Sequence, residues 1–299
     1  MAWVHNRTLE YSGPTKFNIY FGADFQLGSD STDKAVIKRW VREVLDDPNG
    51  LWCILGDIED DDRPSTRAIR RGAFAERREV QTADAKKHIL YIEHEVIPLL
   101  APLTQSRLGS LGVLAGHHWY DLGELNSTQY ICNRLSTMGR KQKVPYLGQM
   151  SAWVHLGFHD SRYYSKTQGA RVRKIHIQHG VGGAKTIAGA LNSLERTSKG
   201  FVADAYVRAH DCTLVAGKYD RLDTRMGDTP GLIHKTVTLM NVGSATRGYE
   251  MTLDNPSYPE MGMMNPRTLG WGVLECYVHR ELKCIDQSQN WDVRFRATI

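Results

Sequence analysis

No run of apolar residues in this 299-residue chain approaches 18, the length a helix needs to cross a bilayer. The first residues, Met1-Ala2-Trp3-Val4-His5-Asn6-Arg7, lack the basic segment followed by an apolar one that marks a secretory leader. Cysteine is scarce: five residues, at 53, 132, 212, 276 and 284, an odd number without close pairs. That argues against a disulfide framework and for a reducing, cytoplasmic compartment. The sequence also lacks internal repeats, low-complexity segments and the Gly-x-Ser-x-Gly elbow that exposes a nucleophilic serine. Its excess charge, +5 from 38 Lys+Arg against 33 Asp+Glu, is too mild to imply nucleic acid by itself. With 41% hydrophobic and 24% charged residues, the chain has the composition and length of a globular protein with an ample core.

The order of elements is more informative. Phe17–Phe21 reads as a strand. Val36, Ile37, Trp40, Val41, Val44 and Leu45 then fall on one face of a 3.6-residue period, a helix opened by Ser31-Thr32-Asp33 and stopped by Asp47-Pro48-Asn49-Gly50. Leu51–Leu55 and Leu111–Leu114 are short continuous apolar runs, as buried central strands require. A long helical region covers roughly 66–100, with a break near Gly72, and a second helix spans 124–138. Short strands are expected at 144–147, 152–156, 174–178, 203–207 and 213–216, with a helix over 185–196. Beyond Gly231 the runs 235–240, 272–279 and 291–295 alternate apolar and polar, the pattern of half-exposed strands. The expectation is a layered α/β domain. Residues 1–15 form an N-terminal extension, 16–230 the core, and 231–299 a β-rich part packed on the same domain as a sheet edge or cap.

Five predicted strands are followed at once by residues able to hold a metal. These ends read Gly22-Ala23-Asp24-Phe25-Gln26, Gly56-Asp57-Ile58-Glu59-Asp60, Ala115-Gly116-His117-His118-Trp119, Gln178-His179-Gly180 and Arg208-Ala209-His210-Asp211-Cys212. The carboxyl ends of strands are where open α/β sheets place ligands. One such Asp is ordinarily a helix cap and one such His a hydrogen-bonded surface group. Five in order are hard to obtain by chance, and their separations of 33, 60, 62 and 31 residues suit successive β–α units with an insertion.

The order of these motifs resembles that of the calcineurin-like metallophosphoesterases over about residues 17–215, and His179–Thr186 looks like the His-Gly segment of phage-encoded members. The resemblance implies a four-layer α/β/β/α sandwich, here with a β-rich C-terminal extension, and a two-metal centre that cleaves phosphoesters. By position, Asp24 matches the first metal ligand and Gln26 stands where His is usual. Asp57 matches the carboxylate that bridges the ions, and Asp60 the second Asp of that motif, a supporting residue. His117 stands in place of the usual Asn. His118 matches the histidine that protonates the leaving oxygen, although Trp119 stands where many members have an acidic residue that orients it. His179 and His210 match ligands of the second metal. Cys212 replaces the last His, and Ala209 the usual Gly. One set is thus Asp57, His117, His179 and His210, which suits Zn, Mn, Fe or Ni; the other is Asp24, Gln26, Asp57 and Cys212. One or two divalent ions are expected.

The excess charge is local. Residues 63–87 hold eight basic and three acidic side chains, a net +5 equal to that of the whole chain. Arg67, Arg70 and Arg71 are the candidate substrate-binding residues of this segment. As a phosphate-tracking surface it favours a phosphodiesterase or nuclease over a phosphatase; as a solvated helix face it implies nothing. The expected partner is a phosphoester substrate, nucleic acid included, and no membrane. Two rival classes are a degenerate, non-catalytic or mononuclear binding protein of the same fold, motivated by Gln26, His117, Trp119 and Cys212, and a cysteine hydrolase using Cys212 with His210. The second is disfavoured because two residues on one loop seldom give nucleophile–base geometry. His88, His94, His155 and His159, and the other cysteines, read as structural.

Overall fold

The computed structural model describes residues 3–12, 15–60, 78–139, 143–161, 171–182, 186–225, 231–249, 266–278 and 291–297. The elements run β1 (Trp3–Tyr11), β2 (Thr15–Gly22), α1 (Lys34–Asp46), β3 (Gly50–Ile54), α2 (Arg78–Tyr91), α3 (Ile97–Leu100), β4 (Ser110–Val113), α4 (Ser127–Met138), β5 (Ser151–Asp160), β6 (Arg171–Gln178), α5 (Ile187–Gly200), β7 (Ala205–Arg208), β8 (Val215–Arg225), β9 (Gly231–Asn241), β10 (Gly270–Val278) and β11 (Trp291–Ala297). They form two mixed sheets, β1-β5-β6-β7-β9-β8 and β11-β10-β2-β3-β4. In the second, β2, β3 and β4 are parallel, and in the first β6, β7 and β9 are parallel. Parallel neighbours end on the same side, so the loops after them lie side by side.

Alternation along the strands decides what packs where. Phe17, Ile19 and Phe21 of β2 join Leu51 and Cys53 of β3 and Leu274 of β10 against Val154 and Leu156 of β5, Ile175 and Ile177 of β6 and Val207 of β7, which makes the core between the sheets. The opposite face of the five-stranded sheet, Tyr20, Trp52, Ile54 and Val273, packs on helices. It meets Val36, Ile37, Trp40, Val41 and Val44 of α1 and Ile131, Cys132 and Leu135 of α4. Leu191 and Leu194 of α5 cover Tyr206, Val237 and Leu239 on the other face of the six-stranded sheet. The packing therefore runs helices, sheet, sheet, helix. Asp33 caps α1 by accepting from Ala35 N at 2.8 Å and Val36 N at 3.3 Å. Leu45, placed by periodicity on the buried face, is instead 37% exposed at the helix end.

Residues 3–11 form the edge strand β1, parallel to β5, rather than preceding the fold. Of the three runs expected at a sheet edge or cap, β11 is an edge strand and the other two lie inside the sheets. β9 sits between β7 and β8, and β10 between β11 and β2. β10 is buried nearly throughout. Its one carboxylate, Glu275, made the run look half-exposed, but it is buried, 3.2 Å from Lys16 Nζ, and accepts from Tyr277 Oη at 3.0 Å. Residues 144–147 are not a strand; Tyr146 alone bridges to Val113. No helix among the described residues is long and apolar enough to cross a membrane.

Candidate metal centre

The five strand ends meet at one edge of the two sheets, laced by backbone hydrogen bonds. Asp24 N donates to Gly56 O (3.1 Å), Gln26 N to Asp57 O (3.0 Å), Asp57 N to Ala115 O (3.0 Å) and Ala209 N to Gln178 O (3.2 Å). Among the described residues, six non-glycine residues have positive φ, and five of them are Asp24, Gln26, Asp57, His210 and Cys212. Side-chain-bearing residues enter this left-handed region rarely and at a cost of order 1–3 kcal/mol. The turns after β2, β3 and β7 are thus strained, whereas those after β4 and β6 place glycine, Gly116 and Gly180, at the positive φ. Two glycines make the approach possible. A Cβ on Gly116 would lie 2.1 Å from Asp57 Oδ1, and one on Gly56 would lie 2.8 Å from His179 Nδ1.

Asp57, His117, His179 and His210 each offer one ligand atom, and these atoms lie within 4.8 Å of one another. The ring centroids are 4.9 Å (His117–His179), 4.6 Å (His117–His210) and 5.1 Å (His179–His210) apart. Asp57 Oδ1 accepts from His117 N (2.6 Å) and His118 N (3.0 Å), which turns Oδ2 inward. His179 is fully buried, and its Nδ1 lies 2.7 Å from the Leu55 carbonyl, so Nδ1 is the donor and Nε2 faces the cluster. Nε2 and Asp57 Oδ2 are 3.0 Å apart, yet neither makes a well-aligned hydrogen bond. Two buried, poorly satisfied donor atoms aimed at one point, beside two further imidazoles, fit a divalent ion of the kind that prefers nitrogen and oxygen ligands.

The charges agree with that fit. Burial pushes His210 down to about 3, helped by His179 and His117, so it stays neutral as a ligand must. Burial opposes charge on both Asp57 and His179, but each stabilises the other. The Asp57 carboxyl is held below the ordinary carboxylate range, and His179 is raised to about 9. Without a cation these two act as an ion pair, with the imidazolium standing where the metal charge would be. Asp24 is raised above the ordinary range, first by burial, with Asp57 adding to the rise and His179 opposing it.

The remaining predicted residues are placed as follows. Asp24 is buried, and its Oδ2 accepts from His210 N at 3.0 Å. Gln26 Oε1 is 3.4 Å from the Thr246 hydroxyl. Cys212 is buried, and its thiol donates to the His210 carbonyl at 3.6 Å. Among the described residues, Asp24 and Cys212 are not part of the converging set of Asp57, His117, His179 and His210. His118 is 37% exposed, with Nε2 4.0 Å from Asp57 Oδ2 and Nδ1 3.4 Å from Asp60 Oδ1. Asp60 thus supplies the orienting carboxylate that Trp119 does not, and its proximity raises the His118 pKa against the effect of burial. Sequence reading placed Asp60 in support of the centre without naming the group it touches. Glu59 is buried and hydrogen-bonded to His88, whose ring stacks on Tyr120 at 4.6 Å. Arg208, not singled out from the sequence, is 3% exposed, bonds Val181 O at 3.0 Å and pairs with Asp211 at 3.2 Å. Asp61, Asp62, Arg67, Arg70, Arg71 and Cys284 lie outside the described residues. Cys53, Cys132 and Cys276 are buried, and burial raises their thiol pKa values, as befits inert core residues.

Among solved structures, the chain is similar to Vps29 complexed with zinc from Entamoeba histolytica (10% identity, TM-score 0.34, over 94% of this chain and 99% of that one). It is also similar to a predicted phosphoesterase from Streptococcus pneumoniae TIGR4 (10%, 0.31, 94% and 99%). A third is the calcineurin-like phosphoesterase YfkN from Bacillus subtilis (10%, 0.37, 95% and 90%). No family model and no curated protein matches. At these identities and scores the functional reading rests on the site's own geometry.

Proposed function

We propose that the protein is a metal-dependent phosphoesterase of the calcineurin-like type, hydrolysing a phosphodiester or phosphomonoester with water as the nucleophile. The observation that carries this reading is a histidine-rich ligand cluster with a separate, partly exposed imidazole at its mouth, His118, backed by Asp60. Asp57, His117, His179 and His210 would hold a divalent ion, which when bound polarises a phosphoryl oxygen and acidifies water. The ligand set suits Zn, Mn, Fe or Ni better than Mg or Ca. The chain's own residues supply the rest. Asp60 holds His118 by Nδ1 and favours its protonated form, so Nε2, facing the cluster, carries the proton a leaving oxygen needs. Gly56 and Gly116 leave the space in which the ligands approach one another.

A phosphodiester, in DNA, RNA or a nucleotide, is the preferred substrate class because the +5 segment 63–87 follows the Asp57–Asp60 loop directly. Its Arg67, Arg70 and Arg71 would track the phosphates. The free thiols suit a reducing cytoplasm. The test is hydrolysis of bis-p-nitrophenyl phosphate by protein loaded with Mn²⁺ or Zn²⁺. Asp57→Ala should abolish it, and His118→Asn should lower kcat by about 10²–10⁴. Activity that survives Asp57→Ala contradicts the assignment. A second reading, a binding protein that keeps the fold without catalysis, draws on the engagement of Asp24, Gln26 and Cys212 in internal hydrogen bonds. Metal-loaded protein inactive on diesters and monoesters alike would favour it.

A further inference from the structure

The residues that could hold two ions divide into one set whose side chains face one another and one whose side chains are tied to the surrounding loops. Asp57 Oδ2 and His179 Nε2 face the cluster formed with His117 and His210. Each residue of the other set is already tied into the surrounding loops by a hydrogen bond. Asp24 Oδ2 takes the His210 N–H at 3.0 Å, while its carbonyl takes Ala245 N–H at 3.3 Å and lies 3.1 Å from the Thr246 hydroxyl. Gln26 Oε1 lies 3.4 Å from that same hydroxyl. The Cys212 sulfur serves as a donor to the His210 carbonyl at 3.6 Å, a role that needs its proton, whereas a ligand must be a thiolate. Asp57 would have to serve both sites, but its Oδ1 already accepts from two backbone amides, at 2.6 and 3.0 Å.

We propose that the centre takes a single divalent ion, on Asp57, His117, His179 and His210, and that Asp24, Gln26 and Cys212 form a hydrogen-bonded brace for the His210 loop instead of a second metal site. The proposal rests on the metal-centre reading above. Charge supports it. One dication would face two buried carboxyl groups, those of Asp24 and Asp57. A second would leave two positive charges uncompensated among buried side chains, where an unpaired charge is costly. Asp60 and Glu59 do not fill that gap, since they are committed to His118 and His88. The brace also gives the strained backbone at Asp24, Gln26 and Cys212 a role without a metal: Asp24 and Cys212 hold the His210 backbone, and Gln26 meets the Thr246 hydroxyl that also contacts the Asp24 carbonyl.

The test uses the full chain, stripped of metal and reloaded with Zn²⁺ or Co²⁺, read by elemental analysis, titration against a chromophoric chelator and the Co²⁺ spectrum. The proposal expects one ion per chain and a Co²⁺ spectrum without a thiolate-to-metal charge-transfer band. Cys212→Ser should change the dissociation constant by less than about threefold, a difference of under about 0.7 kcal/mol. His179→Ala, checked for folding by circular dichroism, should bind at least about a hundredfold more weakly, in line with the loss of a ligand. Two ions per chain would overturn it, as would a charge-transfer band that Cys212→Ser removes, or a single ion retained by His179→Ala and lost in Cys212→Ser. No bound ion at all would overturn it together with the metal-centre reading, an outcome distinct from the others.

Discussion

His176 lies on β6 with its ring stacked on Phe201 (4.6 Å, 12°) and edge-on to Trp153 (5.0 Å, 67°), and it is 3% exposed. Burial lowers its pKa from 6.5 to about 4. Between those values the unfolded chain binds a proton that the folded chain does not, so stability should fall as pH falls through this window. The loss is roughly 3 kcal/mol at most. His176→Phe should flatten the slope: urea unfolding at pH 4.5 and 7 should differ less for the variant than for the parent, and an equal difference would refute the assignment. Arg208 offers a second residue-scale test, because it joins the loops that carry His179 and His210. Arg208→Met leaves Asp211 buried beside a lost charge and should cost about 3–5 kcal/mol, whereas Arg208→Met with Asp211→Leu should cost less than the single change. A double-mutant cycle on urea unfolding reads the difference. Sequence and structure part company among such residues. Asp57, His117, His179 and His210 were legible because each closes an apolar strand, and a strand end is a local feature. Thr246 and Arg208 were not legible, because what they touch is set by the meeting of distant loops. Glu59 belongs to the acidic run 59–62, and nothing local marks its burial against His88.

Elements were legible where local chemistry marks them. α1 has its Asp33 cap and a clear apolar face. α4 begins one residue after Asn126, which accepts from Gln129 N at 2.8 Å while Gln129 Oε1 accepts from Asn126 N at 2.9 Å. Asn126 Nδ2 also donates to Tyr146 Oη at 2.9 Å. Asn126→Ala should therefore lower stability by about 1–2 kcal/mol in chemical denaturation, and no change would mean the cap is redundant. The long helix expected up to residue 100 is interrupted for a reason the sequence contains. Pro98 has no N–H and crowds the carbonyl four residues before it, so the chain widens over Ile92–Val96, with Ile97 N reaching back to Ile92 O. β1 was missed because residues 1–15 read as an extension ahead of the fold, yet the strand within them gains a parallel partner 149 residues away. At the end of β4 the backbone leaves no room for change. Gly116→Ala would place a methyl 2.1 Å from Asp57 Oδ1 at a φ of +81°, so this variant should fold less stably and lose metal binding by at least tenfold in a chelator competition.

At the scale of the whole molecule, the ligand cluster joins the two sheets. Asp57 and His117 follow β3 and β4 of the five-stranded sheet, whereas His179 and His210 follow β6 and β7 of the six-stranded one. The sequence suggested a β–α–β–α–β core with a terminal cap, because local periodicity carries no information on strand order. In the structure, β9 completes the six-stranded sheet beside β7, and β10 carries β2 on its edge. An ion bound by four side chains from both sheets cannot find the same set in the unfolded chain, so it should stabilise the whole fold by mass action. At a free concentration a hundredfold above the dissociation constant, the gain is about 2.7 kcal/mol, which for a domain of this size raises Tm by roughly 4 °C. Scanning fluorimetry of chelator-treated protein with and without Zn²⁺ measures that increment. It should vanish in Asp57→Ala and His179→Ala, whatever those changes do to the metal-free protein, because the metal-dependent difference isolates binding from folding. An increment that persists in both would mean that the stabilising ion binds elsewhere and that the convergence of the four residues serves packing alone.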